Sequence, residues 1–148
     1  MRDPTGIDLL ELNGFVLSYD AETTRDVYRQ ILQGDSERCT CAPCLSYKQH
    51  REQVYSDEFY ALLQRLGVDW RRDSEVHYIG KGTSDLDLYG GCFHFIGQLR
   101  QTANRGVSLG TNLTIDFSTS LNDLPPEFAD KPVVQLNFEV AVPPSVSA

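Results

Sequence analysis

The chain has 148 residues, 41% hydrophobic, 10% aromatic and 23% charged, a balance that places it with globular domains built round one core and away from disordered or fibrous chains. Thirteen basic against twenty-one acidic residues give a formal net charge of −8, which repels phosphate backbones and anionic membranes and sets nucleic acid and membrane aside as partners. No stretch reaches the roughly 18 apolar residues of a membrane span, and Met1 to Gly6 carry no basic start followed by an apolar run, so a cytoplasmic chain with reduced cysteines is expected.

In chain order, Phe15-Val16-Leu17 with Tyr19 predicts a first strand, entered through the turn dipeptide Asn13-Gly14. A helix follows, capped by Asp20, with Val27, Tyr28, Ile31 and Leu32 as its apolar stripe and Gly34 as its stop. Pro43 suits the first turn of a second helix running through Cys44 towards Tyr55, because its missing N–H is one that a helix start leaves unbonded. The third helix is the clearest: Ser56 caps it, Asp57 and Glu58 lie at its positive end, Phe59, Leu62, Leu63 and Leu66 share a face, and Gly67 ends it.

After Trp70 the period changes to two. Glu75 to Ile79 and Tyr89 to Leu99 predict two strands, with Gly90-Gly91 read as a turn or bulge at the start of the second. Leu113, Ile115 and Phe117 then alternate with polar residues, as do Val134, Leu136, Phe138, Val140 and Val142. In the last strand Leu136, Phe138 and Val140 are expected inside and Gln135, Asn137 and Glu139 outside. One-sided alternation of this kind predicts a single α+β domain over residues 1–148, with a mainly antiparallel sheet of about four to six strands and two or three helices packed on it.

The ordered set Cys39-Thr40-Cys41-Ala42-Pro43-Cys44, Leu66-Gly67-Val68-Asp69, Tyr89-Gly90-Gly91-Cys92-Phe93-His94-Phe95-Ile96-Gly97 and a late strand ending in Pro143 resembles a group of uncharacterised bacterial proteins with no assigned activity. The resemblance covers Phe15 to Pro143 and implies no catalytic residue. The group has a bulky aromatic at the position of Cys92 and a tryptophan at that of Pro144, which implies that Cys92 is dispensable and leaves His94 the better fourth ligand for any metal.

The cysteine cluster carries the sharpest chemistry. Thiolates suit zinc, and Cys39, Cys41 and Cys44 fall within six positions that a turn entering a helix can wrap round one ion. His94 or Cys92 would complete the set, with His50 and His77 as other possibilities. Two other readings compete with zinc: cysteines packed as small hydrophobes at a helix start, and Cys41-Ala42-Pro43-Cys44 as a redox dithiol whose first thiol the helix dipole acidifies. The dithiol lacks the buried strand that a thioredoxin-like motif needs before it, since residues 34–38 are polar.

His94 also suits a general base on a rigid strand, or a core histidine satisfied by hydrogen bonds; no partner for it is legible, and hydrolase elbow and zinc-protease motifs are missing. The acid pairs Asp85/Asp87 and Glu127/Asp130 read as solvated loops, and the glycines form no phosphate loop. The residues therefore favour a non-enzymatic cytosolic binding or interaction domain, with a protein or small-molecule partner and a structural zinc on Cys39, Cys41, Cys44 and His94. The alternative is a small enzyme using a thiolate of the Cys41/Cys44 pair or His94.

Overall fold

A computed structural model describes residues 7–82 and 85–143. The elements are, in order, β1 (Asp8–Leu12), β2 (Phe15–Tyr19), α1 (Ala21–Gln30), α2 (Asp35–Arg38), α3 (Ala42–Val54), α4 (Asp57–Leu66), β3 (Glu75–Lys81), β4 (Asp87–Gln101), β5 (Val107–Ser108), β6 (Leu113–Ser118), a 3-10 turn (Pro126–Phe128) and β7 (Val133–Val142). The fold is α+β, as the alternation predicts, but its antiparallel sheet has seven strands rather than four to six. The order is β1-β2-β4-β7-β6-β5, with β3 also on β4.

The extra strands are short or polar. β1 pairs with β2 from Asp8↔Tyr19 to Leu12↔Phe15, so Asn13-Gly14 leads into the strand Phe15–Tyr19 as expected, but as the two-residue turn of a hairpin in which that strand is the second. Both turn residues have positive φ, 46° and 95°, which asparagine and glycine tolerate better than other residues. Gly90 and Gly91 lie inside β4 instead of opening it. A Cβ on Gly91 would fall 2.4 Å from the Glu75 carbonyl oxygen and 2.5 Å from the Phe138 ring, so the missing side chain lets β3 and that ring close in.

One face of the sheet carries the main core. Phe93, Phe95, Val134, Leu136, Phe138, Val140, Leu113, Ile115 and Phe117 are all buried on it, held in register by Phe93↔Leu136 and Ile115↔Phe138. α4 lays its apolar face there: Phe59, Leu62, Leu63 and Leu66 are buried, and the Phe59 ring centre lies 6.2 Å from Phe93 and 6.0 Å from Phe138. Ser56 caps α4 by accepting from the Phe59 amide, and left-handed Gly67 ends it.

The other face is covered locally rather than left to solvent. Phe128 of the 3-10 turn is buried and packs 6.0 Å from His94 and 5.7 Å from Tyr28. This cover corrects the expected pattern of β7: Leu136, Phe138 and Val140 are inside and Glu139 outside, yet Gln135 is only 2% exposed. α1 ends at Gln30, so Ile31 is buried as expected while Leu32, placed on the apolar stripe by helical spacing, is 89% exposed.

Candidate thiol metal site

The cysteine cluster sits where two helix ends meet. Cys39 closes α2, Cys41 precedes the first residue of α3, and Cys44 lies in the first turn of α3, with Pro43 beside it in that turn. A buried polar knot holds α2 against the last turn of α3. Asp73, 2% exposed, accepts from the Ser36 amide at 2.8 Å and its hydroxyl at 2.7 Å. Arg51 of α3 reaches the Ser36 hydroxyl at 2.9 Å and the Glu37 carboxylate at 2.6 Å, and lies 3.6 Å from Asp73. The Asp35 carboxylate accepts from the Val76 amide at 3.0 Å, which ties α2 to β3. Burial raises the Asp73 carboxyl pKa against the opposing pull of the Ser36 hydrogen bonds and Arg51. The knot therefore ties α2 to the last turn of α3 and to Asp73 through groups other than the cysteines.

The three sulfurs all lie within 4.8 Å of one another, close enough to hold a metal ion. Cys39 Sγ and Cys41 Sγ are 3.0 Å apart, between an S–S bond of about 2.05 Å and the edge of about 3.8 Å that bonds of about 2.3 Å give a tetrahedral zinc site. Cys41 is exposed, Cys39 half-buried and Cys44 buried. Hydrogen bonds from Cys41 and then Cys44 lower the Cys39 pKa, while burial raises that of Cys44. The N-terminus of a thirteen-residue helix adds positive potential to this cluster, and Lys48 Nζ lies 3.4 Å from the Cys39 carbonyl oxygen.

His94, expected as the fourth ligand, is not in this group. It is fully buried in β4, with Nδ1 2.7 Å from Ser74 Oγ and Nε2 2.9 Å from Gln135 Oε1. A chain of amides fixes its proton. The Asp116 carboxylate accepts from Asn137 Nδ2, Asn137 Oδ1 accepts from Gln135 Nε2, and Gln135 Oε1 then faces Nε2 of the imidazole and also takes the Asn122 amide. An ionised carboxylate can only accept, so Nε2 carries the hydrogen and Nδ1 accepts from Ser74. Burial lowers the His94 pKa and keeps the ring neutral. Ser74 is thus the partner that the sequence could not supply for His94. Ser74 itself is only 8% exposed, and the arrangement is that of a satisfied core histidine.

The other proposed ligands are engaged elsewhere. Cys92 is buried on β4, with its sulfur 3.9 Å from the Asn122 carbonyl oxygen, and burial pushes its thiol up to about 12. His50 Nδ1 lies 3.1 Å from the Ser46 carbonyl oxygen in α3, and exposed His77 lies 3.3 Å from Glu75. Asp87, read in the sequence as a solvated loop residue, instead opens β4 and pairs with Lys81 at 2.9 Å.

A second feature joins residues that are distant in the sequence. α1, α4 and the loop after α4 enclose a cleft of about 660 Å³ lined by Arg25, Arg29, Tyr60, Leu63, Trp70 and Arg72, within the size range of small-molecule sites. Its residues are spread over 48 positions and meet only through the packing of α1 beside α4. Tyr60 lies 5.5 Å from Trp70, and the Arg71 guanidinium stacks over Trp70 at 4.5 Å. Among the described residues, no helix is long and apolar enough to cross a membrane.

Comparison with protein-family models, curated proteins and solved structures finds no match to the chain.

Proposed function

We propose that the chain is a zinc-stabilised binding domain in which Cys39, Cys41 and Cys44 hold one ion and so staple the end of α2 to the start of α3. The observation that carries this reading is the convergence of the three sulfurs within 4.8 Å between the end of α2 and the start of α3. Zinc is the ion of choice, because thiolates are soft donors and a mononuclear tetrahedral centre asks for sulfurs this close, whereas an iron–sulfur cubane spreads its thiolates over separate irons. The binding role rests on the cleft between α1 and α4, where Asp69 pairs with Arg72 and Asp26 with Arg29, and where Arg25, Tyr60 and Trp70 also face a small partner with an anionic group.

Metal analysis of protein purified without chelator tests the first part. One zinc per chain is expected, with loss of the ion in Cys41→Ser/Cys44→Ser. An ion at a thousandfold its dissociation constant stabilises the folded state by about 4 kcal/mol, so chelation should lower the melting temperature of the parent and leave the double variant unmoved. Metal-free protein whose melting ignores chelators overturns the reading.

The redox dithiol is the second reading, and the observation that favours it is the exposure of Cys41 at the amino end of α3 with Cys44 one turn on. It expects metal-free protein that loses two titratable thiols on mild oxidation and regains them on reduction.

A further inference from the structure

We infer that the metal centre is open at its fourth position and takes a low-molecular-weight thiol there as a ligand. This rests on the zinc reading above and adds to it the class of molecule that the ion accepts.

Zinc held by protein donors is four-coordinate, and centres with three protein ligands keep the fourth place for a molecule from solution. Among the described residues, only Cys39, Cys41 and Cys44 converge. The donors closest in sequence already have partners: Asp35 accepts from the Val76 amide, Glu37 from Arg51, and His50 faces the Ser46 carbonyl. Using Asp35 or Glu37 would break a contact that positions α2, and His50 turns its Nδ1 back onto its own helix. The rim of the cluster opens outward, since Thr40, Cys41, Ala42, Pro43 and Leu45 are all exposed. A molecule of a few heavy atoms therefore reaches the ion without displacing a buried side chain.

The charge balance and donor softness select the ligand. Three thiolates and a divalent ion leave one net negative charge, offset by Lys48 beside Cys39 and by the amino end of α3. A further soft anion is tolerated there, and among soft donors a thiolate matches the three already present. A thiol R–SH binds through sulfur, its proton passes to solvent, and a water leaves to the bulk; no electron is transferred, so no oxidant is needed.

The test uses the full chain loaded with cobalt(II) in place of zinc and titrated with 2-mercaptoethanol, with ethylene glycol as the oxygen-only control. Three thiolates give a sulfur-to-cobalt charge-transfer band, and a fourth should raise it by roughly a third, with a saturable shift of the visible bands. Ethylene glycol should change neither. A band that appears on loading but ignores the thiol overturns the open position while leaving the zinc reading intact. Bands that instead grow with protein concentration, alongside a dimer in sedimentation, also overturn it, because a second copy then fills the place. Absence of any charge-transfer band on loading removes the zinc reading itself, and the inference with it.

Discussion

His94 shows how a single titratable side chain is set by groups far from it in sequence. Its neutral form, with the proton on Nε2, follows from the run Asp116, Asn137, Gln135 on two neighbouring strands, and Ser74 donates to the nitrogen left bare. Burial lowers its pKa below the ordinary 6.5. The unfolded chain therefore binds a proton here below about pH 6.5 that the folded chain refuses, so the contribution of His94 to stability is full above that pH and is lost as pH falls through it, by up to about 1.4 kcal/mol per pH unit. His94→Gln is expected to be less stable than the parent at pH 8, with a gap that narrows towards pH 5 in denaturant titrations. Asp73, whose pKa burial raises, titrates in both proteins and cancels in the difference. A gap independent of pH would show that His94 is not held neutral.

At the scale of elements, α1 does work that a strand would do elsewhere. β7 runs along one edge of β4, while β3 covers the other edge from Asp87 to Cys92 and β2 from Gly97 to Gln101. Between them residues 93–96 of β4 have no strand partner on this edge, and α1 with its cap residue Asp20 fills the gap. The Tyr28 hydroxyl donates to the His94 carbonyl at 2.7 Å and accepts from its amide at 3.3 Å; Thr24 accepts from the Ile96 amide at 2.9 Å; and the Asp20 amide donates to the Ile96 carbonyl at 2.9 Å. Tyr28→Phe keeps the ring against Phe128 but leaves both backbone groups of His94 buried and unpaired. A loss of about 2–3 kcal/mol is expected, with faster hydrogen exchange at the His94 amide, whereas unchanged exchange would mean that the helix does not complete the sheet edge. Helical spacing makes Val27 and Tyr28 legible as inward residues, but nothing in that spacing says that a tyrosine hydroxyl replaces a missing strand.

For the molecule as a whole, one buried hydrophobic cluster runs from Leu10 in β1 through α1 and α4 to Val142 in β7. Leu63 of α4, 1% exposed, belongs to it. Leu63→Ala should cost about 2–5 kcal/mol, and unfolding followed by circular dichroism and by Trp70 fluorescence should shift by the same amount in a single transition. Two separated transitions would divide the core. Because Arg51, in the last turn of α3, and Asp73 hold α2 through groups other than the sulfurs, loss of the proposed ion should loosen residues 39–45 first, visible as hydrogen exchange confined there while the sheet stays protected.

The periods of the chain by themselves determined the α+β class, the helix of Phe59 to Leu66 with both its caps, and the inward faces of β6 and β7, because burial on one face imposes a period of 3.6 or 2 on neighbouring residues whatever lies opposite. The clustering of Cys39, Cys41 and Cys44 was equally legible, since all three lie within one turn and a helix start. Pairing between distant segments has no such local signature. Only the tertiary structure decided that β1 joins β2 through Asn13-Gly14, that Gly91 makes room for the Phe138 ring, and that Gln135 on the supposed outer face is buried and bonded to His94 and the Asn122 amide. It also decided that His94 is bound between Ser74 and Gln135 rather than joined to the sulfurs, because which side chain a strand residue meets depends on register and on what packs over the sheet, and neither is written in the strand itself.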